Sequence, residues 1–137
     1  MSYLIDTCAL SELISSRPDE NVVSWFENAP QEGLFLSVLT LGEIRKGVEK
    51  MPKSRRRNQI LSWLEHELPS WFEGRVLSID NPVADEWGRF LARVERPLPA
   101  IDSLIAATSL YHRLTVVTRN VKDFDFSDID ILNPWNE

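Results

Sequence analysis

The sequence has few of the residues that build zinc centres, nucleotide loops and covalent catalytic sites. It contains one cysteine and two histidines, so a zinc site made of Cys and His clusters is not expected. Neither His66 nor His112 lies near a predicted strand end, which leaves a serine nucleophile without a paired base. The five glycines are scattered, and neither a G-x-G-x-x-G nor a Walker sequence is present. Because Cys8 stands alone, no internal disulfide can form, and we expect a reducing, cytoplasmic environment.

Long apolar runs are also missing. No run approaches the roughly 20 residues that a membrane-spanning helix needs. The N-terminus leads directly into an apolar strand pattern without a basic segment, so we expect neither a membrane span nor a signal peptide. Hydrophobic residues make up 43% and charged residues 26% of the chain, which indicates a folded, soluble protein. The 137 residues suffice for one domain spanning 1–137.

The net charge of -6 argues against a surface that binds nucleic acid electrostatically over its whole extent. The charge is uneven, however. One basic segment carries seven cationic residues against Glu49 alone: Arg45, Lys46, Lys50, Lys53, Arg55, Arg56 and Arg57. Two interpretations stay open, a solvated helix surface or a local strip that follows a phosphate backbone.

Short apolar segments alternate with helical patterns along the chain. Strands are predicted over 3–6, 34–37, 75–80, 114–118 and 130–132. Helical spacing of apolar residues is found over 8–15, 21–28, 39–50, 54–67, 83–94 and 100–113. This alternation predicts an α/β fold with a small, mostly parallel central sheet of four to five strands covered by helices.

Four acidic residues recur at the end of a strand-like run or in the first turn of a predicted helix: Asp6, Glu43, Asp102 and Asp123. If the strands are parallel, these positions converge at the carboxyl edge of the sheet, where α/β folds bind ligands. Four carboxylates at one point cannot all stay charged without a cation. Oxygen-only ligands favour Mg²⁺ or Mn²⁺, and such a site supports hydrolysis of a phosphodiester.

Each acid also has a local structural explanation. Asp6 is placed to cap a helix, and Asp102 lies at the positive end of another. Thr40 and Glu43 have the spacing of a capping box, and Asp123 could cap a terminal turn. The repetition of one pattern at four positions favours a shared site over four unrelated explanations.

Three neighbours of the acids are candidates for supporting roles. Arg119 could hold a substrate phosphate, with a plain surface arginine as the alternative. Thr118 is a second candidate for substrate binding, and both Thr118 and Thr7 could form hydrogen bonds around a metal. Ordinary strand-end and capping roles are equally compatible with these two threonines.

Four motifs resemble the PIN-domain family, most closely the VapC and FitB type of bacterial toxin–antitoxin ribonucleases. They are LIDT at 4–7, LSVLTLGEI at 36–44, PAIDSLIAAT at 99–108 and VTRNVKDF at 117–124. Their order and spacing extend the resemblance over nearly the whole chain. One departure is Cys8, because many relatives have asparagine after the Asp-Thr pair.

The resemblance implies a three-layer α/β/α domain and a Mg²⁺- or Mn²⁺-dependent endoribonuclease acting on RNA, with Asp6, Glu43, Asp102 and Asp123 as its acidic quartet. It also implies a cognate antitoxin that covers the site, a homodimer, and operator DNA bound only through the toxin–antitoxin complex. Two other readings remain: a non-catalytic PIN-like scaffold for RNA or protein, and a phosphotransfer receiver. The receiver requires Asp80 as phosphate acceptor on a central strand and Lys122 after a later one.

Overall fold

A five-stranded parallel sheet forms the centre of the protein. The structure is a computed structural model that describes residues 1–126 and 128–136. The strands are β1 (Tyr3–Ile5), β2 (Leu34–Ser37), β3 (Val76–Leu77), β4 (Thr115–Val117) and β5 (Ile131–Leu132). Their order across the sheet is β3-β2-β1-β4-β5, and every neighbouring pair is parallel. The predicted parallel α/β sheet is therefore confirmed.

In the part of the chain that the structure describes, seven α-helices connect and cover the strands. They are α1 (Thr7–Glu12), α2 (Glu20–Asn28), α3 (Val38–Glu49), α4 (Arg55–Ser62), α5 (Leu68–Trp71), α6 (Asn81–Arg93) and α7 (Ala100–His112). A π-helical turn, Trp63–Glu67, joins α4 to α5 without a break. Short 3₁₀ turns occupy Gln31–Gly33, Val121–Phe124 and Pro134–Asn136. None of the helices that the structure describes is long and apolar enough to cross a membrane.

The two faces of the sheet belong to two separate hydrophobic clusters. Adjacent strand residues point to opposite faces, so Leu4 and Val116 join one cluster while Ile5 and Val117 join the other. Residues of α1 to α5 fill the cluster around Ile5, and residues of α6 and α7 fill the cluster around Leu4. The helices therefore form a layer on each side of the sheet, as the three-layer expectation requires.

The strand order places a switch point between β1 and β4. From β1 the chain moves to β2 and β3 on one side, and it later returns to β4 and β5 on the other side. Two neighbouring strands whose connections leave in opposite directions open a crevice at their carboxyl ends, which is where open α/β sheets bind ligands. The backbone N–H of Asp6 donates to the carbonyl of Val117 at 3.0 Å, so both strand ends meet at this crevice.

The predicted strand over 75–80 is wrong beyond Leu77. Asp80 instead caps α6, because its carboxylate accepts a hydrogen bond from the Val83 N–H at 3.2 Å. β3 is also an edge strand rather than a central one. A phosphotransfer receiver needs its acceptor on a central strand, so the structure contradicts that alternative.

The helix predicted over 54–67 continues to Trp71. Ser54 caps its first turn by accepting from the Arg57 N–H at 3.0 Å. Pro69 lies in the first turn of α5, directly after the π-helical turn, where a missing backbone donor is tolerated. Proline thus marks a change of helical geometry here and does not end the helix.

Candidate functional site

Asp6 turns its carboxylate toward the sheet and away from the helix that it precedes. Its backbone occupies the N-cap position of α1, yet its side chain makes no capping hydrogen bond. The hydroxyl of Thr118 donates to Asp6 Oδ2 at 2.8 Å instead, and Asp6 is only 6% exposed. The capping explanation therefore fails, and the carboxylate is a buried acid oriented by the end of β4.

Glu43 does not form the capping box that its spacing with Thr40 suggests. The N-cap of α3 is Ser37, whose hydroxyl accepts from the Leu39 N–H at 3.1 Å. Glu43 accepts a hydrogen bond from the hydroxyl of Thr7 at 2.5 Å. Because Thr7 directly follows Asp6, this bond ties the first turn of α1 to α3 and brings Glu43 toward the same edge.

Asp102 and Asp123 complete the acidic edge. Asp102 lies in the first turn of α7, and Asp123 lies in the 3₁₀ turn after β4. The pKa of Asp102 is raised to about 6. Burial is the largest cause, and the negative charges of Asp6, Asp123 and Glu43 and the proximity of the Asp123 side chain raise it further. All four predicted acids thus share one electrostatic environment.

The carboxylate oxygens are suitable ligands for a hard divalent cation, but they do not form a complete coordination shell. Among residues 1–126 and 128–136, no three Asp, Glu, His or Cys side chains are gathered closely enough to hold a metal ion. Coulombic repulsion acts over several ångströms, whereas Mg²⁺ requires oxygens about 2.1 Å from one point. The two observations are compatible, because the acids are near enough to repel one another without meeting at a single point.

Comparison with known proteins places this architecture in a family. The family model described as "PIN domain" matches residues 3–132. The chain belongs to the PIN-domain family. It is 34% identical to "Toxin FitB" of Neisseria gonorrhoeae, over 98% of this chain and 99% of that protein. It is 33% identical to "VapC ribonuclease Y4jK" of Sinorhizobium fredii, over 96% of each. This PIN domain is therefore of the FitB and VapC toxin type.

Solved structures agree with this assignment. The chain superposes on the crystal structure of FitAcB from Neisseria gonorrhoeae with a TM-score of 0.92 and 33% identity, covering 98% of this chain and 99% of that one. It superposes on DNA-bound VapBC from Salmonella typhimurium with a TM-score of 0.80 and 28% identity, covering 98% of both. Both neighbours are toxin–antitoxin complexes.

Cys8 of this PIN domain lies within the acidic edge and contacts three of its groups. Its sulfur is 3.6 Å from Asp6 Oδ2 and 3.5 Å from Thr118 Oγ1, and it accepts from the Arg119 N–H at 3.4 Å. Burial raises the pKa of the thiol, and the neighbouring Asp6 charge raises it further. The sulfur is thus a neutral thiol that joins the ends of β1 and β4.

The two candidate substrate-binding residues are placed differently. Thr118 is fully buried, and its hydroxyl is used by Asp6 and the Asn120 N–H, so direct contact with a substrate is not supported. Arg119 is exposed beside the crevice, and its guanidinium stacks on the Trp135 ring at 4.1 Å. Its ion pair with Glu12 is long, at 4.0 Å. The sequence did not identify Trp135 as a neighbour of Arg119, because only the folded chain brings Trp135 to the end of β4.

The basic segment is used largely within the protein. Arg56 donates to the carbonyl of Ile14, and Arg57 donates to the carbonyl of Val48 at 3.2 Å. Arg45 pairs with Glu65 at 3.0 Å. These bonds join α4 to the loop after α1 and to α3, and they join α3 to the π-helical turn, so much of the segment is structural. Lys46 and Lys50 instead line an open pocket of about 510 Å³ that also includes Glu43.

Replacing Asp102 by asparagine should stabilise the EDTA-treated protein at neutral pH. The folded protein keeps the Asp102 proton up to about pH 6, whereas the ordinary carboxyl loses it near 3.8. The free energy of unfolding therefore falls as pH rises through this window, and asparagine removes that loss. We expect a gain on the order of 1 kcal/mol at pH 7.5, allowing for partial solvent screening, and little difference at pH 4.

Urea denaturation of the two proteins between pH 4 and pH 7.5 measures this difference. Asp85→Asn on the exposed side of α6 is the matched control and should show no such trend with pH. A gain of equal size at pH 4 and pH 7.5 would show that charge repulsion at Asp102 is not its cause.

Proposed function

We propose that this PIN domain is a metal-dependent endoribonuclease that hydrolyses RNA phosphodiester bonds. The observation that carries the proposal is the convergence of charge on Asp102, whose pKa is raised by burial and further by Asp6, Asp123 and Glu43 at the carboxyl edge of the sheet. A divalent cation relieves that repulsion. The relative from Sinorhizobium fredii is itself named a ribonuclease, which supports the choice of RNA.

The four acids are the proposed ligands of Mg²⁺ or Mn²⁺: Asp6, Glu43, Asp102 and Asp123. When bound, the ion supplies Lewis-acid activation of water and charge stabilisation at the phosphate. The chain's own contribution is to orient the oxygens. Thr118 fixes Asp6 and Thr7 fixes Glu43 through hydrogen bonds of 2.8 and 2.5 Å. Such supporting bonds limit how far the carboxylates must move to reach a common point.

Arg119 is the proposed contact to the RNA backbone. Stacking on Trp135 holds its guanidinium beside the crevice, and its ion pair with Glu12, the one found among residues 1–126 and 128–136, is long and leaves hydrogen-bond donors available to a phosphate. An open pocket of about 460 Å³ runs from Arg119 to Asp123 and includes Asn120, Lys122 and Asn133. A phosphodiester lying in this pocket would be in reach of both the arginine and the acidic edge.

A non-catalytic scaffold that binds RNA or protein is the second candidate. It is favoured by the absence, among the described residues, of three side chains already arranged around one metal position. A scaffold would bind RNA equally well with and without Mg²⁺ and would leave it intact. The hydrogen-bonded orientation of Asp6 and Glu43 favours the enzyme, because a binding surface gains nothing from burying one acid beside three others.

The purified protein should cleave RNA with Mg²⁺ or Mn²⁺, and either EDTA or Asp6→Asn should reduce the rate by at least about a hundredfold. The reason is that asparagine keeps the shape of Asp6 but removes its charge. Cleavage of a labelled RNA is followed on a denaturing gel, with Asp85→Asn as the matched control. Unchanged cleavage by the Asp6→Asn protein would rule out the acidic edge as the active site.

Replacing Arg119 by alanine should weaken RNA binding and reduce its dependence on salt. Losing one phosphate contact lowers the slope of log affinity against log salt by about 0.7 for a single strand. Fluorescence anisotropy with a labelled single-stranded RNA in EDTA measures binding without cleavage. Arg89→Ala is the control, because Arg89 is an exposed arginine that pairs with Asp85 within α6. An unchanged slope would show that Arg119 does not contact the RNA backbone.

We further propose that the protein acts as the toxin of a type II toxin–antitoxin module. In this proposal it forms a homodimer, a cognate antitoxin covers the acidic edge, and operator DNA is bound through the complex. The support is the similarity over the whole chain to FitB and to toxin–antitoxin complexes, one of which is described as DNA-bound.

Expression of the protein in a bacterium should therefore arrest growth, and co-expression of the small protein encoded by the adjoining reading frame should relieve the arrest. The Asp6→Asn protein should not arrest growth yet should still co-purify with that partner, because only a carboxylate is lost. Light scattering of the purified protein tests the homodimer. Growth arrest by the Asp6→Asn protein would show that toxicity does not depend on the acidic edge.

A further inference from the structure

Helix α6 and the loop that follows it carry none of the four acids, yet they contact the segments that carry two of them. Helix α6 packs on α7, which carries Asp102, and Arg96 in the following loop bonds to the segment that carries Asp123. Helix α7 also contacts the 3₁₀ turn that carries Asp123. The separation of Asp102 from Asp123 therefore depends on how α6, the loop after it and α7 pack together.

The contact to α7 is made next to Asp102. The indole N–H of Trp87 donates to Ser103 Oγ at 2.9 Å, and the Ser103 hydroxyl donates to the carbonyl of Ala100 at 2.7 Å. Ser103 is 1% exposed. Because these bonds fix the residues on both sides of Asp102, α6 determines where the first turn of α7 begins.

The contact to the Asp123 segment is made by Arg96, whereas Arg93 contacts the chain beyond that segment. Arg96, in the loop after α6, donates through Nη2 to the carbonyl of Lys122 at 2.7 Å, and its guanidinium lies over the Phe126 ring at 4.5 Å. Arg93, the last residue of α6, pairs with Asp128 at 2.5 Å. The carbonyl bonded by Arg96 belongs to the residue directly before Asp123, so this bond acts on the peptide that carries the acid.

The Asp123 segment has few other restraints of its own. It is a single 3₁₀ turn outside the sheet, and the side chain of Asn120 at its N-cap makes no capping hydrogen bond. The buried ring of Phe124 anchors its far end. A turn of this length has few internal bonds to resist the repulsion of three other carboxylates. An external bond to its backbone therefore has a direct effect on where Asp123 lies.

We propose that Arg96 is a positioning residue for the metal site, holding Asp123 within reach of Asp102 through its bond to the Lys122 carbonyl and its stack on Phe126. This inference rests on the proposed function and names a residue on which that site depends. Arginine suits the task because its planar group can donate to a carbonyl and stack on a ring at once, which lysine cannot do equally well.

A substrate-binding role for Arg96 would have a different consequence. Arg96 borders an open surface pocket of about 530 Å³ together with Phe90 and Phe126. If RNA occupied that pocket, losing Arg96 would weaken RNA binding and leave metal binding alone. If Arg96 positions Asp123, metal binding changes even when no RNA is present. Metal binding without RNA therefore separates the two roles.

The test is titration of the full-length protein with Mn²⁺ alone, followed by the electron paramagnetic resonance signal of free Mn²⁺. We expect Arg96→Ala to weaken Mn²⁺ binding roughly tenfold, the range seen when outer supports of metal ligands are removed. Arg96→Lys should fall between alanine and the wild type. Arg89→Ala is the matched control and should change the affinity less than twofold. Because Arg96 is exposed, no buried side chain is lost in these variants.

A double-mutant cycle with Asp123→Asn sharpens the result. If Arg96 acts only through Asp123, then Arg96→Ala should have almost no further effect on Mn²⁺ affinity in the Asp123→Asn protein. Wild-type Mn²⁺ affinity in the Arg96→Ala protein, or an equal loss in both backgrounds, would overturn the proposal. If a thermal melt shows that the Arg96→Ala protein does not fold, the same Mn²⁺ titrations are made with Arg96→Lys.

Failure of the proposed function is distinguishable from failure of this inference. A wild-type protein that binds no Mn²⁺ and cleaves no RNA contradicts the metal site as a whole. A wild-type protein that binds Mn²⁺ and loses it on Asp123→Asn, with Arg96→Ala unchanged, contradicts the positioning role alone.

Discussion

Repulsion among carboxylates at one edge of the sheet is the constraint on which the rest of this structure depends. Asp6, Glu43, Asp102 and Asp123 come from four separate segments, and burial, together with the charges of the other three acids, raises the pKa of Asp102 to about 6. Carboxylates left without support would separate into solvent, where hydration lowers their energy. Keeping them together therefore requires a restraint on each segment, and those restraints account for much of the polar structure near the crevice.

The restraints differ in kind from one acid to the next. Side-chain hydroxyls orient the acids nearest the sheet, whereas neighbouring elements fix the turns that carry the other two. Thr118 holds Asp6, Thr7 holds Glu43, Trp87 and Ser103 fix the turn of Asp102, and Phe124 and Arg96 fix the turn of Asp123. The acids therefore approach a common region without already meeting at one point.

Local patterns were a poor guide to the partners of individual side chains. The spacing of Thr40 and Glu43 predicts a capping box, but Ser37 caps the helix and the hydroxyl of Thr7 donates to Glu43. Asp6 has the backbone of an N-cap, yet its carboxylate bonds to Thr118, which lies 112 positions away. In each case a distant donor outcompetes the local one. Sequence spacing contains no information about which segments the sheet brings together.

The sequence by itself determined the alternation of strands and helices, the parallel sheet and the identity of the four acids. Apolar periodicity and strand-end position depend on neighbours in the chain, and those neighbours are present in the sequence. Only the tertiary structure decided which groups hold the acids, and it gave Arg96, Trp87 and Trp135 their places at the site. These contacts depend on strand order and helix packing, which bring together residues whose separation along the chain says nothing about their distance in space.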